Sequence, residues 1–283
     1  MINTYSFVQN TKQWKQSASD FSQEKLSPTP ALTKGEGKHL SQKPASANET
    51  PLPLGGVGGG LRASYDYGAA FNQVNMIKVD FLHNLGFRGE GMLIAVLDAG
   101  FISADTMQAF YPLYQTNRII ATKNFVDGND SVYKSATHGT FVLSTMAAYL
   151  PSLIVGTAPE ASYILLISED ILSETIIEEF NWISAAEFAD SAGADIINSS
   201  LGYTTFDPVP EDTIYVANPL NHTYAEMDGN TAIATIGADI AASKGILVVN
   251  SAGNSGGGNW NFIGVPADAD SILSIGAVDA DRN

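Results

Sequence analysis

From residue 65 onward the chain alternates short apolar runs with longer amphipathic stretches. Residues 92–97 are six apolar residues without a break, ended by Asp98 and Gly100. A run with no polar alternate is apolar on both faces, as in a parallel sheet covered by helices on each side. Residues 118–126, 162–168, 194–200, 246–250 and 271–278 read as further strands. Between them the apolar period becomes helical. One helix is expected over 71–85, stopped by Gly86, and another opens near His138 and closes before Pro151. Residues 171–192 place Ile176, Ile177, Phe180, Ile183, Ala186 and Phe188 on one face, with Glu174, Glu178, Glu179, Glu187 and Asp190 on a solvated one. A last helix spans 231–244, with Gly245 as its cap. Strands alternating with helices predict an α/β fold with a mostly parallel central sheet and right-handed crossovers. The connection 201–230 is long enough to carry function or cover a site.

The first sixty residues read differently. They are rich in Ser, Gln, Lys and Pro, show little periodicity after Trp14, and end in Pro51-Leu-Pro-Leu-Gly-Gly-Val-Gly-Gly-Gly60. Residues 1–50 carry six Lys against four acids, whereas the rest carries eight Lys and Arg against 26 acids. The shift divides the chain into 1–60, a flexible leader or remnant of a pro-segment, and 61–283, a globular domain. The glycine run lacks the Lys-Ser/Thr and the preceding strand of a phosphate loop, so it is a linker.

Charge and composition narrow the partners. A formal charge of −16 argues against nucleic acid and against an anionic membrane surface. No cysteine is present, which excludes disulfides and thiolate metal sites. No apolar stretch approaches the length of a membrane span, and the first thirty residues show no signal peptide.

Three polar residues fall where a parallel sheet converges its strand ends: Asp98, His138 and Asn254. Asp98 alone reads equally as a turn cap after a core strand. Beside a histidine, a carboxylate fixes the imidazole tautomer and stabilises the imidazolium that forms on proton uptake. Gly139 permits close backbone approach, and Asn254, at a strand end running into glycines, can donate to a developing oxyanion. His39, His83 and His222 lack a motif and read as surface or cap residues. Asp127 and Asp130 lie in turn chemistry that lacks a third regularly spaced acid for calcium.

These stretches resemble the subtilisin-like serine proteases, the subtilases. Asp98-Ala-Gly resembles the family's Asp-Ser/Thr-Gly, and His138-Gly-Thr-Phe-Val its His-Gly-Thr-x-Val. Gly156-Thr-Ala-Pro-Glu-Ala resembles a family turn, and residues 195–202 and 249–254 its two substrate-lining segments. The order Asp, then His, with Ser expected last, is the subtilisin order. Coverage is about residues 65–283. Over most of that stretch the chain is also similar to large secreted subtilases of Bacteroidetes-type bacteria, on residues 96–101, Asn181-Trp182, Leu201-Gly-Tyr203, 227–231 and 267–270.

The resemblance implies a three-layer subtilisin-like fold and a secreted endopeptidase with a pro-segment, whose partners are a polypeptide substrate and that pro-segment. Asp98 would orient, His138 would be general base and then acid, and Asn254 would stabilise the oxyanion. Ser200, Leu201 and Gly202 would pair with the substrate backbone. Ser251, Ala252 and Gly253 would wall an open, apolar pocket for the residue before the cut. No cofactor is required for chemistry; structural calcium is common in relatives but no site is readable. The match fails at the nucleophile. No Gly-Thr-Ser-x-Ala/Met-x-Pro occurs, so the C-terminal part of the fold is expected to be missing and the chain inactive as it stands. Ala99 stands where Ser or Thr is usual. Two alternatives remain: a non-catalytic peptide-binding pseudo-protease, and a metal-dependent phosphoryl hydrolase using Asp98 with Asp127 and Asp130. The latter leaves His138-Gly-Thr and the Asn254 stretch unexplained.

Overall fold

The computed structural model describes residues 4–8, 65–211 and 214–279. The leader expected over 1–60 lies outside the described residues except for Thr4–Val8, which forms β1.

After β1 come two short helices, α1 (Phe71–Met76) and α2 (Val79–Asn84), then β2 (Leu93–Asp98), α3 (Tyr111–Gln115) and β3 (Ile119–Asn124). Next are α4 (His138–Ala147), the hairpin β4 (Tyr149–Leu150) and β5 (Ile154–Val155), β6 (Ser162–Ile167), α5 (Ile177–Ala192) and β7 (Ile196–Ser199). The long connection holds a second hairpin, β8 (Val209–Glu211) and β9 (Ile214–Val216); α6 (Ile233–Ser243), β10 (Leu247–Ser251) and β11 (Leu273–Val278) follow. The main sheet runs β1-β11-β10-β7-β2-β6-β3. All its pairs are parallel except β1 with β11.

β2 lies at the centre because both its faces are apolar. Ala95 and Leu97 enter one core with Trp182 and Ile183 of α5 and Ala238 of α6. Ile94 and Val96 enter the other with Leu143 of α4 and Phe110. β6 divides the same way, Ile164 and Leu166 to the first side, Tyr163, Leu165 and Ile167 to the second. The result is a three-layer α/β architecture with a mostly parallel sheet. Asp195, just before β7, fixes the register of β2. Its Oδ2 accepts the Leu93 N–H at 2.9 Å, and its own N–H donates to the Leu93 carbonyl at 2.9 Å.

Two expectations need correction. The helix expected over 71–85 is broken at Lys78, which takes a left-handed φ of 62°. Val74 and His83 are both buried, yet nine residues at about 100° each place them on opposite sides of an unbroken helix. The break turns both inward. Second, Glu178 and Glu179 do not face solvent: both are buried in the first turn of α5. Glu178 accepts the N–H groups of Asp170 at 3.0 Å and Thr175 at 2.9 Å. Glu179 accepts the Ala234 N–H at 3.1 Å and meets His222 Nε2 at 2.5 Å. A helix N-terminus favours such carboxylates, and the bonds offset desolvation. Ile177 and Phe180 are left exposed instead.

His222 and His83 are accordingly interior residues, not surface ones. His83 Nε2 donates to the Thr157 carbonyl at 3.0 Å, so its Nδ1 accepts from the Tyr67 hydroxyl at 2.9 Å. Burial lowers its pKa. His39 lies outside the described residues.

Trp182 ties α5 to the sheet through Nε1, which donates to Ser199 Oγ at 2.9 Å with both residues buried. Trp182→Phe is expected to cost about 1–3 kcal/mol in urea unfolding followed by circular dichroism, because it strands the hydroxyl. Adding Ser199→Ala should recover part of that loss.

Candidate active site

Asp98 ends β2, and its side chain is fully buried. Its oxygens Oδ1 and Oδ2 each lie 2.9 Å from His138 Nδ1. The Ala99 N–H donates to Oδ1 at 2.7 Å. A carboxylate only accepts here, so His138 carries its proton on Nδ1 and Nε2 is left as the acceptor. His138 is the first residue of α4 and its side chain is about half exposed, at the mouth of a cleft.

The backbone around this pair is tightly matched. Phe101 N–H donates to the Val132 carbonyl at 2.9 Å and Ile102 N–H to the Ala136 carbonyl at 3.0 Å, lacing the turn after β2 to the segment before α4. Gly100 has φ 149°, and a Cβ there would collide with the Lys134 carbonyl. At Gly139 a Cβ would lie 2.6 Å from the Gly100 carbonyl and 2.9 Å from Asp98 Cβ. Either added methyl would push the helix start away from the carboxylate.

The cleft is about 550 Å³ and is lined by His138, Ala99 and Asn254 at one end, by Ser200, Leu201 and Gly202 along one wall, and by the loop after β6. Gly202 is exposed, and its backbone N–H and carbonyl are unpaired among the described residues, as strand addition requires. Asn254 follows Gly253, which takes φ 86°, and opens a single turn at Ser255–Gly257. Ser251, Ala252 and Gly253 leave the end of β10, across from Ser200–Gly202 through the β10–β7 pairing. Thus Asp98 and His138 touch, while Asn254 and Ser200–Gly202 share the cleft with His138.

Other candidate groups separate. Asp127 pairs with Lys134 and Asp130 with Lys123, so neither joins Asp98. Among the described residues no group of three or more His, Cys, Asp or Glu is placed to hold a metal ion.

Several residues support the site through contacts that no motif specifies. Asn250 Nδ2 donates to the Leu201 carbonyl at 3.0 Å and to the Ser251 carbonyl at 2.8 Å, bridging the two walls. Tyr203 and Val265 exchange backbone bonds at 2.8 and 3.0 Å, extending the first wall. The Tyr203 hydroxyl donates to Glu169 at 2.6 Å. Tyr224, in the long connection, reaches the Trp260 carbonyl at 2.6 Å and so fastens that connection to the loop after Asn254.

The Asp98 hydrogen bond and charge raise the His138 pKa above its ordinary value, partly opposed by burial. Asp98 itself is raised by burial, opposed by His138 and the Ala99 N–H. A histidine raised in the folded state adds stability that is complete below pH ~6.5 and disappears as pH rises through the folded value. In an NMR titration of the imidazole Cε1–H signals, His138 should therefore titrate above 6.5, and Asp98→Asn should bring its midpoint down while leaving His222 unmoved.

Residues 89–283 match the model of the Subtilase family. Subtilisin E of Bacillus subtilis (strain 168) is 30% identical over 211 residues, covering 73% of this chain and 46% of the relative. Subtilisin of Bacillus pumilus is 29% identical over 211 residues, covering 73% of this chain and 64% of the relative. The chain therefore spans from about half to under two thirds of the length of these relatives. Among solved structures, the epidermin leader peptide processing serine protease (EpiP) from Staphylococcus aureus superposes with a TM-score of 0.51 at 20% identity, over 76% of this chain and 54% of that one, a likeness of fold. The family match takes in β2, α4 and both walls of the cleft, and on that match the chain belongs to the subtilase family of serine endopeptidases.

Proposed function

We propose that residues 61–283 are the N-terminal portion of a peptidase domain that hydrolyses peptide bonds with an Asp-His-Ser triad. The observation that carries this reading is His138, held through Nδ1 by buried Asp98 with Nε2 free at the cleft. In that tautomer Nε2 takes the proton of an attacking hydroxyl and later returns it to the leaving amine. Asp98 stays ionised and stabilises the imidazolium. The Asn254 amide donates to the oxyanion, Ser200–Gly202 hold the substrate as an added strand, and Ser251–Gly253 wall the residue before the cut. Chemistry of this kind needs no cofactor, and structural calcium is not assigned.

Among the described residues no hydroxyl fits the nucleophile. Among the described residues none hydrogen-bonds His138; Ser199 is committed to Trp182, and Ser200 belongs to the wall. Beside Ser200 a pocket of about 150 Å³ between β7 and β10 is lined by Asn198, Val249, Asn250 and Ile275. Asn198 Nδ2 and Asn250 Oδ1 are buried there without a partner among the described residues. Both facts support a nucleophile supplied by residues outside this sequence. Loss of the triad serine leaves only roughly 10³–10⁴-fold catalysis over water, so these 283 residues alone should give no measurable turnover of a peptide substrate. Protein isolated from its source should have a mass well above the 30.0 kDa of this chain and yield a peptide containing Gly-Thr-Ser. A native C-terminus at Asn283 would replace this reading with a peptide-binding pseudo-protease, which the unpaired Gly202 backbone also suits.

Secretion and a removable pro-segment belong to the same proposal. Among the described residues no helix is long and apolar enough to cross a membrane. Maturation should cut between about Leu54 and Tyr65; N-terminal sequencing of mature protein that begins beyond Phe71 would exclude self-removal of the leader.

A further inference from the structure

The two banks of the cleft leave different strands. One is the loop after β6, which begins at Ser168 and Glu169; the other is Ser200–Gly202, which follows β7. β2 lies between those strands and fills the space, so no backbone ladder joins the banks. At about 4.8 Å per strand they start roughly 10 Å apart. A side chain spans the gap. Tyr203 is buried, and its hydroxyl donates to Glu169 Oε1 at 2.6 Å.

Both ends of this bond are fixed. The Tyr203 backbone exchanges bonds with Val265 at 2.8 and 3.0 Å. On the other bank, Ser168 Oγ donates to Glu169 Oε1 at 2.9 Å, and the Ser168 N–H donates to the Asp98 carbonyl at 3.2 Å. A continuous chain of bonds therefore runs from the end of β2 to the wall that begins at Ser200. Because Oε1 receives both hydroxyls, a proton on this carboxyl sits on Oε2, which has no partner among the described residues. Burial pushes Glu169 up to about 8; the two hydroxyls oppose the rise, and the like charges of Glu178 and Glu174 add to it. The groups facing the pair are acidic: Glu174 of the same loop, Glu178 and Glu179 of α5, and Asp207 of the long connection. His138 lines the cleft and His222 is bound to Glu179, while no Lys or Arg lines the cleft.

We infer that the Tyr203–Glu169 hydrogen bond is the strut that sets the width of the cleft, and that these two residues position the Ser200–Gly202 wall for an extended peptide. Both are positioning residues and act through the wall. The inference rests on the proteolytic reading and adds to it a determinant of how the chain is held. An added strand needs its banks at a fixed separation, since N–H···O bonds tolerate a change of only a few tenths of an ångström. Ionised Glu169 would stand among acids with no Lys or Arg in the cleft lining, and the bank must shift to let water reach it. A bound peptide covers the cleft and excludes that water, so the neutral form binds better. Peptide affinity is therefore full below about pH 8 and declines as pH rises through it.

The test uses the full-length protein produced in its own source, with two substrates: a hexapeptide long enough to span the Ser200–Gly202 wall, and an acylated single-residue ester that does not reach it. Tyr203→Phe should raise KM for the hexapeptide about ten-fold, the worth of one hydrogen bond, with kcat and the ester constants moving less than about two-fold. Glu169→Ala should raise that KM likewise, and Glu169→Gln, whose Oε1 still accepts both hydroxyls, should bring it back. For the native protein the hexapeptide KM should climb several-fold between about pH 7 and 9.5; in Glu169→Gln, which cannot ionise, it should stay level. An unchanged hexapeptide KM in Tyr203→Phe would overturn the strut, and so would parallel losses on hexapeptide and ester, which mark a general structural defect. An alkaline climb that persists in Glu169→Gln would overturn the assignment of the proton to Glu169. Native full-length protein that cleaves neither substrate would overturn the proteolytic reading, and the strut with it.

Discussion

A carboxylate without exposed surface is expensive to place at the end of a strand, and the architecture around Asp98 follows from meeting that cost. Desolvation of such a group costs several kcal/mol unless bonds replace its water. His138 and the Ala99 N–H do so. Their geometry requires α4 to begin within hydrogen-bond reach of the end of β2, which in turn requires glycine at 100 and 139, where a methyl group would meet backbone. The flanking strands β6 and β7 clamp β2 on both edges, so the carboxylate cannot retreat. Site and fold are one constraint: the chain is packed so that one buried charge has one partner.

The strands and the chemistry at their ends were legible because two-sided burial leaves a plain mark, an unbroken apolar run followed by a polar residue. What the sequence concealed was polar burial. Glu178 and Glu179 sit at helix positions that periodicity assigns to solvent, and only their distant partners explain them. Glu179 meets His222, 43 residues on, and Ala234, 55 residues on. His83 was missed for the same reason, since its partner Thr157 lies 74 residues away. The helix over 71–85 failed on local grounds: its apolar residues have helical spacing, yet Phe71, Phe81, Leu82 and Leu85 are exposed while His83 is not. Composition marks which residues prefer burial, and a committed hydrogen-bond pair reverses that preference.

The carboxyl groups near the cleft show how one residue class serves two purposes. Glu178 and Asp170 replace backbone partners that an irregular loop would otherwise lack, holding residues 169–175 in place. Glu169 anchors Tyr203, and Tyr203 continues the wall begun by Ser200.

The strand order has a consequence during synthesis. β2 lies between β6 and β7, and the second of these is completed only at Ser199, about 100 residues after Asp98 has been made. At about 5–20 residues per second, the nascent chain carries an apolar ribbon with at least one edge unsatisfied for roughly 5–20 seconds. The segment that seats the buried carboxylate thus waits about 70 residues for β6 and about 100 for β7 before both its edges are paired.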